Sequence, residues 1–186
     1  MRLVKYIILT ILILSCYSVA SAQQIAIKTN GLMLLALTPN LECELVTGEH
    51  SSFNVGAFGH KKPYGIDSKV VGLQAEYRYW FNGRPMTREY IGVAALGSSY
   101  DMHIKDHVYD GDAIGLGLTA GYSISLGRKF NLEFYGGFGV LAFAQKFYYK
   151  YDNYEDYFPD GNISTNSKGF KLFPTKLGIS ISYIIN

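Results

Sequence analysis

Cysteine is nearly absent from this chain. There are two, Cys16 and Cys43, and only Cys43 lies beyond residue 22. Once the segment before it is removed, no intrachain disulfide can form. Long apolar runs are also lacking. No stretch after residue 22 reads as a transmembrane helix, which takes about 20 apolar residues. Excess charge is lacking too. Seventeen Lys and Arg face fifteen Asp and Glu, and two of the basic residues, Arg2 and Lys5, belong to the N-terminal segment. The remainder is balanced and offers no electrostatic footprint for nucleic acid.

That N-terminal segment has the layout of an export signal. Arg2 and Lys5 form a positive start, Tyr6 to Leu14 an apolar stretch, and Ala20-Ser21-Ala22 a small-residue cleavage site. Residues 1–22 therefore read as a signal peptide and residues 23–186 as one mature domain. Ile13-Leu14-Ser15-Cys16 offers the alternative of lipoprotein processing at Cys16.

What the chain has in quantity is aromatic residues and glycine: 16 Tyr, 11 Phe and 20 Gly. Apolar and small-or-polar residues alternate with the period of a strand in eight segments. The first is expected over Ile25 to Leu37, although Gly31 to Leu37 is nearly continuously apolar and fits a buried short helix equally well. The others are Leu41 to Val46, Ser52 to His60, Val71 to Phe81, Glu89 to Tyr100, Ala113 to Leu126, Phe130 to Tyr149, and a last strand from near Phe170 to Tyr183. Pro174 lacks a ladder donor, so the start of the last strand is expected above the regular pairing. The links after strands two, four and six are short. Those after strands three, five and seven are longer: Lys61 to Lys69, Asp101 to Asp112 and Lys150 to Gly169. Short turns at one end and long loops at the other are the layout of outer-membrane barrels. The expected fold is all-β: an eight-stranded antiparallel outer-membrane β-barrel.

Alternation also assigns the faces. In the last strand Leu177, Ile179, Ile181 and Tyr183 share one side, and Lys176, Gly178, Ser180 and Ser182 the other. Applied to every strand, this puts Glu42, Glu44, Gln74, Glu76, Arg78, Glu133 and Lys176 on inner positions, with Lys28 a weaker candidate. An eight-stranded barrel is just wide enough for side chains to fill. These residues are expected to form an ion-pair plug rather than a conducting path.

The closing strand resembles the C-terminal sorting signal of outer-membrane barrels, with Lys176, Gly178, Ile181 and Tyr183 at its characteristic positions. Ile184-Ile185-Asn186 follow the aromatic residue. A wider resemblance is carried by Lys28-Thr29-Asn30, Thr38-Pro39-Asn40-Leu41-Glu42-Cys43-Glu44, Gln74-Ala75-Glu76-Tyr77-Arg78-Tyr79-Trp80, Gly136-Gly137-Phe138-Gly139 and Pro174-Thr175-Lys176-Leu177-Gly178-Ile179-Ser180. Together they resemble a domain-of-unknown-function family of small outer-membrane proteins from Gram-negative anaerobes, similar in architecture to OmpA- and OmpX-type barrels. The resemblance implies no catalytic residues. Ala94 and Ala95 depart from it, since polar or His residues often stand there.

No cofactor is expected. Segment 101–112 holds His103, His107 and four Asp, which could ligate a divalent metal but read as a solvated loop. Segment 150–169 carries Asp152, Glu155, Asp156 and Asp160 among tyrosines. Both are candidate docking tips for an unknown extracellular partner. His50 beside Ser51 and Ser52 is the only hint of a nucleophile and base, and adjacent strand residues point to opposite faces. The expectation is a monomeric, non-enzymatic protein of the outer membrane. Its partners would be lipid and, through its last strand, the barrel-assembly machinery. A small solute or ion channel and a soluble periplasmic barrel binding an apolar ligand are the alternatives.

Overall fold

In the computed structural model the described residues are 24–152, 154 and 165–185. The expected signal peptide and the Cys16 alternative fall outside them, as do Glu155, Asp156 and Asp160. The elements are β1 (Ile25–Asn30), a one-turn helix α1 (Gly31–Leu35), β2 (Asn40–Val46), β3 (Ser51–Lys61), β4 (Ser68–Trp80), β5 (Arg88–Ile104), β6 (His107–Ser125), β7 (Phe130–Tyr149) and β8 (Ser167–Ile184). Each strand pairs antiparallel with the next, and β8 returns to β1 from Ala26 opposite Ile184 to Asn30 opposite Ser180. The sheet is a closed eight-stranded ring.

Three local expectations are corrected. The first strand stops at Asn30 instead of running to Leu37. The Asn30 side chain accepts hydrogen bonds from the backbone N–H of Leu32 (2.9 Å) and Met33 (3.3 Å), capping α1. The helix reading of this segment holds, but the helix is not buried: Leu32, Leu34 and Leu35 are exposed.

The second correction concerns residues 101–112, which are not a loop. β5 and β6 continue as a hairpin to a two-residue turn at Lys105-Asp106, with Ile104 opposite His107. Lys105 takes the left-handed conformation that such a turn requires (φ 55°). Asp101, Asp110 and Asp112 were misleading because they sit on the outward face of paired strands. The third correction concerns Pro174. Pairing with β7 resumes beyond it, from Phe173 opposite Gly139 to Ser167 opposite Gln145, after a register shift between Gly137 and Gly139. The shift places the residue without an N–H in a bulge, where the ladder asks for no donor.

These corrections make the ring uneven. β2, β3 and β4 have 7, 11 and 13 residues, whereas β5 to β8 have 17, 19, 20 and 18. The lower end, with the short turns, is closed all round. At the upper end β5 to β8 rise as a one-sided wall.

Glycine is required where neighbouring backbones crowd. A Cβ on Gly139 would run into the Leu116 carbonyl and the Gly117 Cα, whereas one on Gly97 would meet nothing. Gly139→Val is expected to lower unfolding free energy by about 1–3 kcal/mol. Gly97→Val should stay within about 0.5 kcal/mol of the parent. Equilibrium denaturant unfolding of the two variants checks this.

Candidate functional site

The inside of the ring is built from alternate residues of all eight strands. In its lower half most of these are polar or charged, packed with Ala26, Trp80, Tyr90 and Tyr135. Lys28, Glu42, Glu44, Glu76, Arg78, Glu133 and Lys176 are all buried, each 6 % exposed or less. Gln74 also faces inwards and is half-buried. The period-two reading thus brings its inner candidates into one cluster, Lys28 included.

Arg78 stands at the centre. Its guanidinium reaches Glu44 (3.0 Å), Glu76 (2.7 Å) and Glu133 (2.9 Å), residues of three different strands. Lys28 bridges Glu44 and Glu133 on one side. Lys176 bridges Glu42 (3.1 Å) and Glu76 (2.8 Å) on the other. Three cations therefore meet four carboxylates, and every charge has opposite charges in reach. Neutral donors take remaining carboxylate lone pairs: Gln74 and Asn54 on Glu42, Ser52 on Glu44, Thr119 on Glu76, and the Tyr90 hydroxyl on Glu133 (2.8 Å). The Arg78 guanidinium also lies over the Tyr90 ring, 4.5 Å from its centre, and the Lys176 ammonium 5.0 Å from that of Tyr135.

Sequence reading missed Ser52, Asn54, Tyr90, Thr119, Tyr135 and Ser180 as members of this network. Their phase was readable, but neutral residues carry no penalty that marks a face. Ala94 faces inwards, only 5 % exposed, while Ala95 faces outwards. Small residues on β5 and β6 leave room for the long side chains opposite: a Cβ on Gly92 would meet Thr119 and Glu76, and one on Gly121 the Tyr90 ring.

Above Gln74 the interior changes character. Phe58, Val70, Leu96, Leu141, Phe143 and Phe173 replace the charges and line a cavity of about 530 Å³. Tyr100 and Gln145 add a polar pair, hydroxyl to side-chain oxygen at 2.8 Å. This apolar upper storey was not foreseen. On β3, β4, β5 and β7 these residues keep the inner phase of their strands, and on β8 the bulge turns Phe173 inwards, but an apolar residue reads as outward when the inside is taken to be polar.

The remaining chemical candidates do not converge. His103 faces Asp67 (3.1 Å) and Asp101 (3.2 Å), while His107 stacks on Phe147. The Lys62 hydrogen bond holds the Asp67 carboxyl below its ordinary range. Among the described residues no group of three or more His, Cys, Asp or Glu could hold a metal ion. His50 engages the Trp80 carbonyl (3.0 Å) and stacks on Tyr79, Ser51 pairs with Thr47, and Ser52 is buried against Glu44. No nucleophile and base meet there. In the closing strand Lys176, Gly178, Ser180 and Ser182 are buried, and Ile181 and Tyr183 are exposed.

A family model described as a protein of unknown function, DUF3575, matches residues 7–185. The chain belongs to the DUF3575 family. No curated protein and no solved structure matches this DUF3575 chain. The matched stretch spans all eight strands and hence the whole buried cluster.

Removing Arg78 would take a cation from three buried carboxylates and leave Lys28 and Lys176 facing four. Arg78→Met is expected to lower stability by about 3–5 kcal/mol, the range for breaking a buried ion pair from one side. Gln74→Met, which removes one hydrogen bond at a half-buried position, should cost about 1 kcal/mol. Denaturant unfolding of both variants in parallel measures the difference.

Proposed function

We propose that this protein is a non-enzymatic outer-membrane β-barrel whose lower interior is closed by the ion-pair network, exported by its N-terminal signal and held as a monomer in lipid. One observation carries the reading. Over its lower half the ring is inside-out relative to a soluble barrel: a charged cluster is buried within, and large apolar side chains are exposed outside. On β6 the outward series Ile114, Leu116, Leu118, Ala120, Tyr122 and Ile124 is unbroken, and on β8 Leu177, Ile179, Ile181 and Tyr183 continue it.

The dimensions agree. Eleven residues of β6 from Ile114 to Ile124, at about 3.4 Å each and tilted as barrel strands are, rise about 25 Å, the height of a hydrocarbon band. Charged or polar outward residues bound that band above, at Lys69, Ser99 and Asp112. Tyr79, Phe81, Tyr122, Phe130 and Tyr183 lie near its lower rim, exposed in the manner of an aromatic girdle. A shallow apolar concavity of about 840 Å³, with Tyr77, Ile91, Val93, Leu118, Phe138 and Leu177 in its wall, belongs to the same outer surface. The last strand, with Ile181 and Tyr183 facing outwards and Lys176 and Gly178 inwards, fits recognition by barrel-assembly machinery before the ring closes.

The role supported best is structural or interactive, presented by the tall β5–β6 hairpin and by segment 150–169. A channel would need an opening through the lower half, where Arg78 joins carboxylates from three strands.

The protein is expected to fractionate with the outer membrane and to migrate faster on gels unheated than heated. Recovery in the soluble periplasm would overturn the reading. In planar bilayers the parent protein should show no stable open state, whereas sustained currents abolished by Arg78→Ala would overturn the plug.

A further inference from the structure

The upper cavity has no part in closing the ring, yet it has the size and lining of a ligand pocket. Its volume, about 530 Å³, lies in the range of small-molecule pockets. Its wall is mostly aromatic and aliphatic, from Phe58, Leu96, Leu141, Phe143 and Phe173. One cation stands in that wall. Lys171 has no carboxylate partner among the described ion pairs, and its ammonium lies 5.1 Å from the centre of the Phe143 ring. The three cations of the lower network are each engaged by carboxylates, whereas Lys171, exposed at the chamber wall, is the cation among the described lining residues with charge to offer.

A side passage leads to this chamber. β1 ends at Asn30, so the upper part of β8 has no strand on that side, and α1 sits beside it. Between them is a second cavity of about 190 Å³. Met33 and Leu177 line its outer part and Gln74 and Lys176 its inner part, and it shares Phe58, Leu96 and Phe173 with the chamber. The Thr175 hydroxyl, on the passage wall, is buried and has no hydrogen-bond partner. A buried hydroxyl left unpaired costs free energy unless something else satisfies it.

We propose that the chamber binds an anionic amphiphile of the fatty-acid class, its chain among the Phe and Leu side chains and its acid on Lys171, admitted through the passage beside α1. A neutral apolar ligand would leave the lysine unused. A small hydrophilic anion would leave the apolar wall against water. The chamber belongs to the closed sheet itself. Only the route of entry from lipid rests on the outer-membrane reading.

The test uses the full mature chain in amphipol, with fluorescence titration of 11-(dansylamino)undecanoic acid and, separately, of its methyl ester. The acid is expected to bind saturably and at least tenfold more tightly than the ester. Lys171→Met should abolish that preference and leave ester binding unchanged. Leu96→Trp, which fills the chamber, should remove binding of both, and Ala113→Phe is the second filling variant should Leu96→Trp fail to show heat-modifiable migration. Equal affinity for acid and ester in the parent, or acid binding unaltered by Lys171→Met and by the filling variant, would overturn the proposal. Fractionation is read independently, so a soluble protein that still binds the acid refutes the membrane reading and keeps the chamber.

Discussion

A charge sealed inside a closed sheet needs opposite charge within reach, and that requirement organises the lower half of this molecule. Arg78 is fully enclosed and holds carboxylates of β2, β4 and β7 at once. Lys28 and Lys176 extend the same network to β1, β2, β4, β7 and β8. Ion pairs of this kind do not by themselves guarantee stability, because desolvation offsets much of the Coulomb gain. What they impose is mutual dependence. A slip of one strand by one residue would turn its charges to the outer face and orphan their partners, so the network penalises wrong register across most of the ring.

Small residues are the counterpart of that cluster. Gly92 and Gly121 leave the inner volume that Thr119, Glu76 and Tyr90 occupy. Gly178 does the same for Asn30 and Tyr135. The ring therefore fills its lower half with long polar side chains from β1, β2, β4, β7 and β8, and with Tyr90 of β5, facing small residues on the rest of β5 and on β6. Higher up, where β1 and β2 have ended, no such partners are available. The interior there is lined by Phe and Leu, and a charged inner face gives way to an apolar one.

Much of this was legible in the chain. Alternation located all eight strands and placed Glu42, Glu44, Glu76, Arg78, Glu133 and Lys176 on one inner surface. What misled were positions where a local signal had two readings. Asp101, Asp110 and Asp112 look like loop residues, yet on a strand they simply face outwards. The apolar run from Gly31 to Leu35 fits strand or helix, and the Asn30 cap decided it. Pro174 suggested an end to pairing, and the bulge beside Gly139 absorbed it.

Side-chain period and the distribution of polarity by face are local properties, so the residues alone determined that this is an all-β chain whose strands carry one apolar and one small-or-polar face. Which charge meets which, how far each strand rises, and the change from charged to apolar interior depend on register between strands distant in the chain. Lys28 and Glu133 are 105 residues apart, and Lys176 and Glu42 are 134 apart. Only closure of β8 onto β1 brings such groups within bonding distance, and only the early ending of β1 and β2 opens the upper chamber. Those outcomes belong to the tertiary structure because pairing energies there are decided between strands, not within them.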